Sequence, residues 1–427
     1  MIDLKRLRQD PEGSRASLAR RRDPSVLALL DVVLDLDRQR RELLVTVETL
    51  KAERNAATEE VARRKRAREA AGELMAGLKA SGEAVKGLDA QLREIEAALE
   101  SHALGIPNFP LDGIPDGDAA ANRVIRSWGQ PPRFAFEPRP HWELGTALGM
   151  LDLAAGAKIA GSGFPLFRGP GARLVRALRE FMLDVHTREH GYEEVAPPYL
   201  ATRASLTGTG QLPKFEEELY RTAPDDLFLI PTGEVPVTNI HRDDILDAAA
   251  LPLGYAAWTP CFRREAGAHG KDTRGLIRVH QFDKVELVRF CRPEESPAEH
   301  DRITRHAEVI LERLEIPYRV VELAAGDTGF HSARTLDLEV WAAGVEGWLE
   351  VSSSSTFTDF QSRRGNIRFR PEAGARPELV HTLNASGLAF PRTIIALLEN
   401  NQAADGSVRV PAALAPYLGS DRLTPRA

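Results

Sequence analysis

Two stretches near the N-terminus repeat at alternating steps of four and three. The first holds Leu36, Arg40, Leu43, Val47, Leu50, Arg54, Ala57 and Val61; the second holds Leu74, Leu78, Ser81, Val85, Leu88, Leu92, Ile95 and Leu99. A 3.5-residue period is the mark of a coiled-coil seam. Neither leg contains proline, and Gly72 offers a break between them. The pattern predicts two long helices over about 27–100, folded back on each other as an antiparallel hairpin. At about 1.5 Å of rise per residue each leg reaches on the order of 50–60 Å.

A dimerisation coiled coil would satisfy the same pattern. Charge points elsewhere. Between Arg38 and Arg68 there are ten basic residues and five acidic ones, in a chain whose net charge is −6. Arg54 lies along the leg, and Arg63, Arg64, Lys65, Arg66 and Arg68 crowd its end. A solvated helix face mixes signs, whereas a concentrated basic excess suits phosphate contacts. The arm is expected to lie along an RNA.

Residues 105–118, "GIPNFPLDGIPDGD", end the periodicity with proline and glycine and read as a linker. The expected organisation is an arm domain at 1–104, the linker, and a larger domain at 119–427. A length of 427 residues suits two or three domains at roughly 100–200 residues each. Cys261 and Cys291 are the two cysteines, without CxxC spacing, so no disulfide framework or zinc site is expected. The histidines are not read as metal ligands. The N-terminus is too polar for a signal peptide, and no apolar run suits a membrane span. The reading is a cytoplasmic protein.

Beyond the linker, strand patterns recur at 227–231, 256–264, 276–287, 318–323, 335–341, 348–353 and 366–370, with helices near 298–314 and 392–401. Leu174, Leu178, Met182 and Val185 form the stripe of an amphipathic helix that Gly191 stops. Many strands follow one another directly, which predicts an α+β fold with a mostly antiparallel sheet flanked by helices. Neither GxxxxGK[ST] nor a strand-following GxGxxG occurs, so a nucleotide would be bound without those Gly-rich cradles.

The stretch "CFRREAGAHGKDTRGLIRVHQFDKVEL" reads as strand, long loop, strand. Side chains alternate along a strand, so Arg263 and Glu265 share one face, and Phe282, Lys284 and Glu286 share another. Arginine can fork two hydrogen bonds onto a phosphate. An aromatic ring can stack on a purine, and a carboxylate can receive an amine. A solvated hairpin with incidental ion pairs is the plainer alternative.

The same stretch closely resembles motif 2 of the class II aminoacyl-tRNA synthetases, and in particular the seryl-tRNA synthetase family. "VAPPYL" resembles motif 1, with Pro198 at its proline, and "GLAFPRTIIALLENNQ" resembles motif 3, with Arg392 as its arginine. "TGTGQLPKFEEELY", "PTGEVPVTN", "LEVSSSSTFTDFQSRR" and "TLNASG" are similar to further segments of that family, so the resemblance runs almost end to end. It implies ATP-dependent attachment of L-serine to tRNA(Ser), and to tRNA(Sec) where present, through a seryl-adenylate. It implies Arg263 and Arg392 as the catalytic phosphate ligands. It implies an ATP site of Arg263, Arg264, Glu265, Phe282, Glu350, Val351, Ser352, Ser353 and Arg392, with Mg2+ at Glu350 and Ser353. It implies a serine pocket of Thr232, Gly233, Glu234, Arg263, Glu286 and Ser386. The arm becomes the tRNA-binding element, motif 1 a homodimer interface, and the loop with Lys271, Asp272 and Arg274 a cover for ATP or the tRNA end.

The sequence departs from the family pattern at Gly163, Gly233, Arg264, Thr356 and Pro391; Gly233 and Arg264 fall within these sets but are not assigned to chemistry. A specialised or inhibitor-resistant second copy is compatible with these departures. A non-catalytic RNA-binding paralogue is opposed by the intact Arg263, Glu265, Glu286 and Arg392. A ligase that loads a carrier protein is opposed by the long arm.

Overall fold

The computed structural model describes residues 1–266 and 273–425. His269, Lys271 and Asp272 lie outside the described residues. The chain divides into two compact units, Met1–Ala19 with Asp23–Pro107, and Arg20–Arg22 with Asn108–Ala427.

In the first unit, α1 (Leu4–Gln9) and α2 (Pro11–Ala19) precede the long helices α3 (Pro24–Arg66) and α4 (Gly72–Leu104). Asp23 starts α3 by accepting the Ser25 N–H, and Pro24 occupies the first turn, where a missing N–H costs nothing. Every heptad position from Leu36 to Val61 and from Leu74 to Leu99 is at least half-hidden, with Val47, Val61, Val85 and Leu99 fully buried. A two-helix pair can do no better, because each seam has one partner. Between the legs Arg40 meets Glu96 at 2.8 Å and Lys51 meets Asp89 at 2.9 Å.

The second unit is built on an eight-stranded sheet. Its strands are β1 (Arg123–Trp128), β2 (Glu193–Glu194), β3 (Leu253–Phe262), β4 (Gln281–Cys291), β5 (Tyr318–Glu322), β6 (Arg334–Ala342), β7 (Gly347–Thr358) and β8 (His381–Ala389). Their order is β1-β5-β6-β7-β8-β4-β3-β2. Pairing is antiparallel except at β2, which runs parallel to β3. Helices α5 (His141–Ala147), α6 (Pro170–Arg188), α7 (Glu234–Thr238), α8 (Ser296–Arg313), α9 (Phe360–Gly365) and α10 (Phe390–Asn400) accompany it. The main core joins Leu174, Leu178, Met182 and Val185 of α6 to Val285 and Leu287 of β4 and Ile394 and Ile395 of α10. Among the described residues no helix is long and apolar enough to cross a membrane.

Three expectations change. The segment 276–280 is irregular and β4 begins only at Gln281. Arg278 and His280 therefore do not extend the Phe282–Glu286 face. Likewise β3 ends at Phe262, so Arg263 and Glu265 lie beyond it, and Glu265 takes a left-handed backbone with φ of 51°. The edge strand β2 covers only Glu193–Glu194 and ends before Pro197 and Pro198, consistent with proline's missing donor. Strand β8, central in the sheet, was not expected from its mixed sequence "HTLNASGLA".

Candidate active site

Strands β4, β7 and β8 lie side by side, and their irregularities decide which side chains meet. On a regular strand Glu350 and Ser353, three apart, would face opposite sides. The β6–β7 register slips between Glu350 and Ser352, leaving Val351 as the extra residue. That bulge reverses the alternation, and Glu350 and Ser353 line one cavity together. A second slip between Ser386 and Leu388 isolates Gly387 and leaves Ser386 opposite Glu286. A Cβ on Gly387 would stand 2.7 Å from His186 Nε2, so the bulge needs glycine for close approach.

Two adjoining recesses share Arg263, Glu265, Lys284, Glu350 and Ser386 in their walls. One is closed by Ile277, Arg278, Phe282, Pro391 and Arg392. Here the Arg263 guanidinium lies over the Phe282 ring at 5.2 Å, and Arg278 grips Glu265 at 2.9 Å. Arg392 donates from Nε to the Ile277 carbonyl at 3.2 Å and from Nη1 to the Glu350 carbonyl at 2.8 Å. Three arginines and an aromatic ring around one hollow suit a nucleoside triphosphate.

The other recess ends in a buried polar cluster. The Thr232 hydroxyl donates to Glu286 Oε2 at 2.8 Å and accepts from Lys284 Nζ at 2.7 Å. Lys284 also pairs directly with Glu286. The Asn384 amide donates to Glu234 Oε2 at 3.0 Å and to Glu286 Oε1 at 3.1 Å. Gln361 of α9 donates to Glu234 Oε1 at 2.5 Å. Burial, and then the neighbouring Glu286 charge, push the Glu234 carboxyl up to about 7. Gly233 leads into α7 so closely that a Cβ there would stand 3.0 Å from Glu286 Cβ.

Not every expected residue reaches these walls. Arg264 turns out to the Glu217 carbonyl at 3.1 Å. Ser352 is buried and donates to the Ser386 carbonyl at 2.6 Å, tying β7 to β8. Glu286 is fully buried behind Thr232, Lys284 and Asn384 and lines neither recess, whereas Val351 does line the first recess while packing in the core. Conversely, Lys284, Asn384 and Gln361 were given no role from sequence. Even spacing from Glu286 and from Ser386 carried the signal for the first two; Gln361 had none, since only the fold brings α9 beneath Glu234. On the arm, Arg63 and Arg64 share Glu60, whereas Arg54, Lys65, Arg66 and Arg68 make no ion pair among the described residues.

A hard divalent cation would find oxygen donors at Glu350 and Ser353. Asp337, opposite Ser353 on β6, has an Oδ1 with no hydrogen-bond partner among the described residues. Burial and the Glu350 charge push its carboxyl well above the usual range. A buried acid facing other acids is the surrounding a cation would relieve, so the residues fit Mg2+.

The comparisons agree with this geometry. Residues 214–401 match the family model of the tRNA synthetase class II core domain (G, H, P, S and T). The fold and site thus define a class II aminoacyl-tRNA synthetase. Residues 1–110 match the seryl-tRNA synthetase N-terminal domain. The serine–tRNA ligase of Gemmatimonas aurantiaca is 55% identical over 98% of this chain and 99% of its own. That of Geobacillus kaustophilus is 54% identical over 98% and 99%. The crystal structure of seryl-tRNA synthetase from Pyrococcus horikoshii complexed with ATP superposes with a TM-score of 0.95 at 36% identity, covering all of both chains. The cytoplasmic serine–tRNA ligase of Naegleria fowleri, in complex with AMP, gives 0.88 at 27% identity, covering 98% of this chain and 97% of that one. The chain belongs to the seryl-tRNA synthetase family.

Proposed function

We propose that the protein activates L-serine with ATP and transfers it to tRNA(Ser). The charge count at the buried cluster carries this reading. Glu234 and Glu286 with Lys284 sum to one negative charge when both acids are ionised, beside the cationic Arg263. A zwitterionic amino acid answers that arrangement, its ammonium toward the acids and its carboxylate toward Arg263 and the nucleotide. Thr232, Ser386 and Asn384 supply partners for a side-chain hydroxyl. A site built to bond a hydroxyl rejects analogues lacking one by about 10⁴–10⁵-fold.

In the first step a serine carboxylate oxygen attacks the α-phosphorus of ATP. The bond to the bridging oxygen breaks, and pyrophosphate leaves with the electron pair. Arg263 and Arg392 neutralise the phosphates and hold them in line, which is most of what phosphoryl chemistry asks of a protein. Mg2+, held by Glu350 and Ser353 with Asp337 behind them, supplies further charge neutralisation when bound. In the second step the terminal adenosine hydroxyl of the tRNA attacks the seryl carbonyl and AMP leaves. Arg54, Lys65, Arg66 and Arg68, with Arg63 and Arg64, present the arm's charge to tRNA phosphates.

Pyrophosphate exchange with each of the twenty amino acids tests the reading. Exchange should require serine and Mg2+, and Glu286→Ala should lower it at least about 100-fold, since two hydrogen-bonded groups lose their partner. Near-normal exchange by that variant would remove Glu286 from the pocket.

The proposed assembly is a cytoplasmic homodimer. It is supported by the exposed Tyr199 and Leu200 just past the edge strand β2. Light scattering should give twice the 47.0 kDa chain mass; a monomer at micromolar concentration would contradict it.

A further inference from the structure

Helix α10 carries two charged residues of different fate. Arg392, near its start, enters the nucleotide hollow, while Glu399, two turns on, is fully buried. The Glu399 carboxylate accepts four hydrogen bonds. Oε1 takes the backbone N–H of His141 at 2.8 Å and the His141 ring Nδ1 at 2.7 Å. Oε2 takes the backbone N–H groups of Gly344 at 2.8 Å and Val345 at 3.1 Å. His141 is itself completely buried, at the first position of α5.

The other ring nitrogen fixes the tautomer. His141 Nε2 accepts the backbone N–H of Leu276 at 2.9 Å, so it carries a lone pair and the proton sits on Nδ1, pointing at Glu399. The chain wraps the ring closely here. Gly275 has φ of 62°, and a Cβ on it would stand 2.2 Å from Nε2. The next residue of α5 holds the same segment, since the Arg274 guanidinium lies 4.9 Å from the centre of the Trp142 ring.

Leu276 and Ile277 form a wall of the nucleotide hollow, and the Ile277 carbonyl receives Arg392 Nε at 3.2 Å. A circuit therefore closes: Arg392 to Ile277, along the backbone to Leu276, to His141, to Glu399, and along α10 back to Arg392. Both ends of the circuit are rooted in one rigid helix. We propose that His141, which touches neither cavity, is a positioning residue for ATP: it fixes the 276–277 backbone and through it the Arg392 guanidinium. The proposal rests on the reading of this hollow as the ATP site. Displacing a phosphate ligand by an ångström costs about 100-fold in well-oriented reactions, so a remote anchor can matter this much.

Two substitutions separate the contacts. His141→Asn retains a donor for Glu399 and removes the acceptor for Leu276. His141→Gln can place an amide oxygen where Nε2 stood. We expect His141→Asn to raise both the ATP Kd and the ATP KM in pyrophosphate exchange about tenfold. The serine KM should change less than about twofold, and His141→Gln should restore most of the loss. A merely structural role would lower the melting temperature and the active fraction while leaving the ATP KM of the surviving enzyme alone; that result overturns the proposal. Should both variants fold poorly, the unsubstituted protein still decides: 15N spectra of histidine-labelled enzyme should show a buried ring protonated on Nδ1 only, and an Nε2–H ring there refutes the circuit. If the unsubstituted enzyme exchanged with no amino acid, the functional reading would fall, and the ATP Kd would still judge His141.

Discussion

Glu234 is the residue whose chemistry is most finely poised. Its carboxyl is buried against Glu286, held by Gln361 and Asn384, and pushed up to about 7. The folded protein thus binds this proton more tightly than the unfolded chain does. Its cost to stability grows as pH rises from the ordinary carboxylate range to about 7 and levels off above. In the proposed pocket serine binding would have the opposite sign, because the ammonium would need the ionised acid. In exchange assays kcat/KM for serine should therefore fall as pH drops through about 7, approaching a tenfold loss for each pH unit below it. The KM for ATP should stay flat, since Glu234 does not line the recess that holds Phe282 and Arg392. A serine profile level from pH 6 to 8 would show that Glu234 does not face the ammonium.

At the scale of elements, legibility followed regularity. The heptads of α3 and α4 and the stripe of α6 could be read residue by residue, because each repeats one environment many times. The even spacing of Phe282, Lys284 and Glu286 was legible for the same reason. What stayed hidden were the places where a strand stops being regular. Nothing in "EVSSSS" marks Val351 as an extra residue, yet that slip turns Ser353 toward Glu350. The strand β8 was missed because Thr382, Asn384 and Ser386 look like loop residues; they are buried polar groups whose partners, Gln361, Glu234 and Glu286 among them, come from distant segments. Polar residues in a central strand are a local conflict that the site resolves. The Gly387 bulge makes this testable. Gly387→Ala would press a methyl against His186, which is fully buried beneath it. Overpacking of that kind costs about 1–3 kcal/mol, which urea denaturation would register. Because Ser386 is the neighbouring residue, the serine KM should rise with it. Unchanged stability would mean that β8 has room to shift.

Across the whole molecule, the proposed function would divide two kinds of recognition between the two units. All groups assigned to serine and ATP, from Thr232 to Arg392, belong to the second unit, which has its own core. The first unit contributes none of them. Its long helices are instead held by a seam along their heptad positions, and Lys65, Arg66 and Arg68, which make no ion pair among the described residues, gather near one end. Adenylate formation needs only the small molecules, whereas charging needs the tRNA. The arm should therefore be dispensable for the first reaction and necessary for the second. Removing residues 36–99 and joining the flanking helices by a short turn should leave serine-dependent pyrophosphate exchange within about twofold, since no transition-state contact is lost. Charging of tRNA(Ser) should fall by several orders of magnitude. A milder version neutralises Arg54, Lys65, Arg66 and Arg68 together. Binding of tRNA should weaken, and its dependence on salt should become less steep, because each phosphate contact removed takes about one released counterion with it. Charging that survived the deletion would assign tRNA recognition to the second unit and leave the arm's basic end without a function.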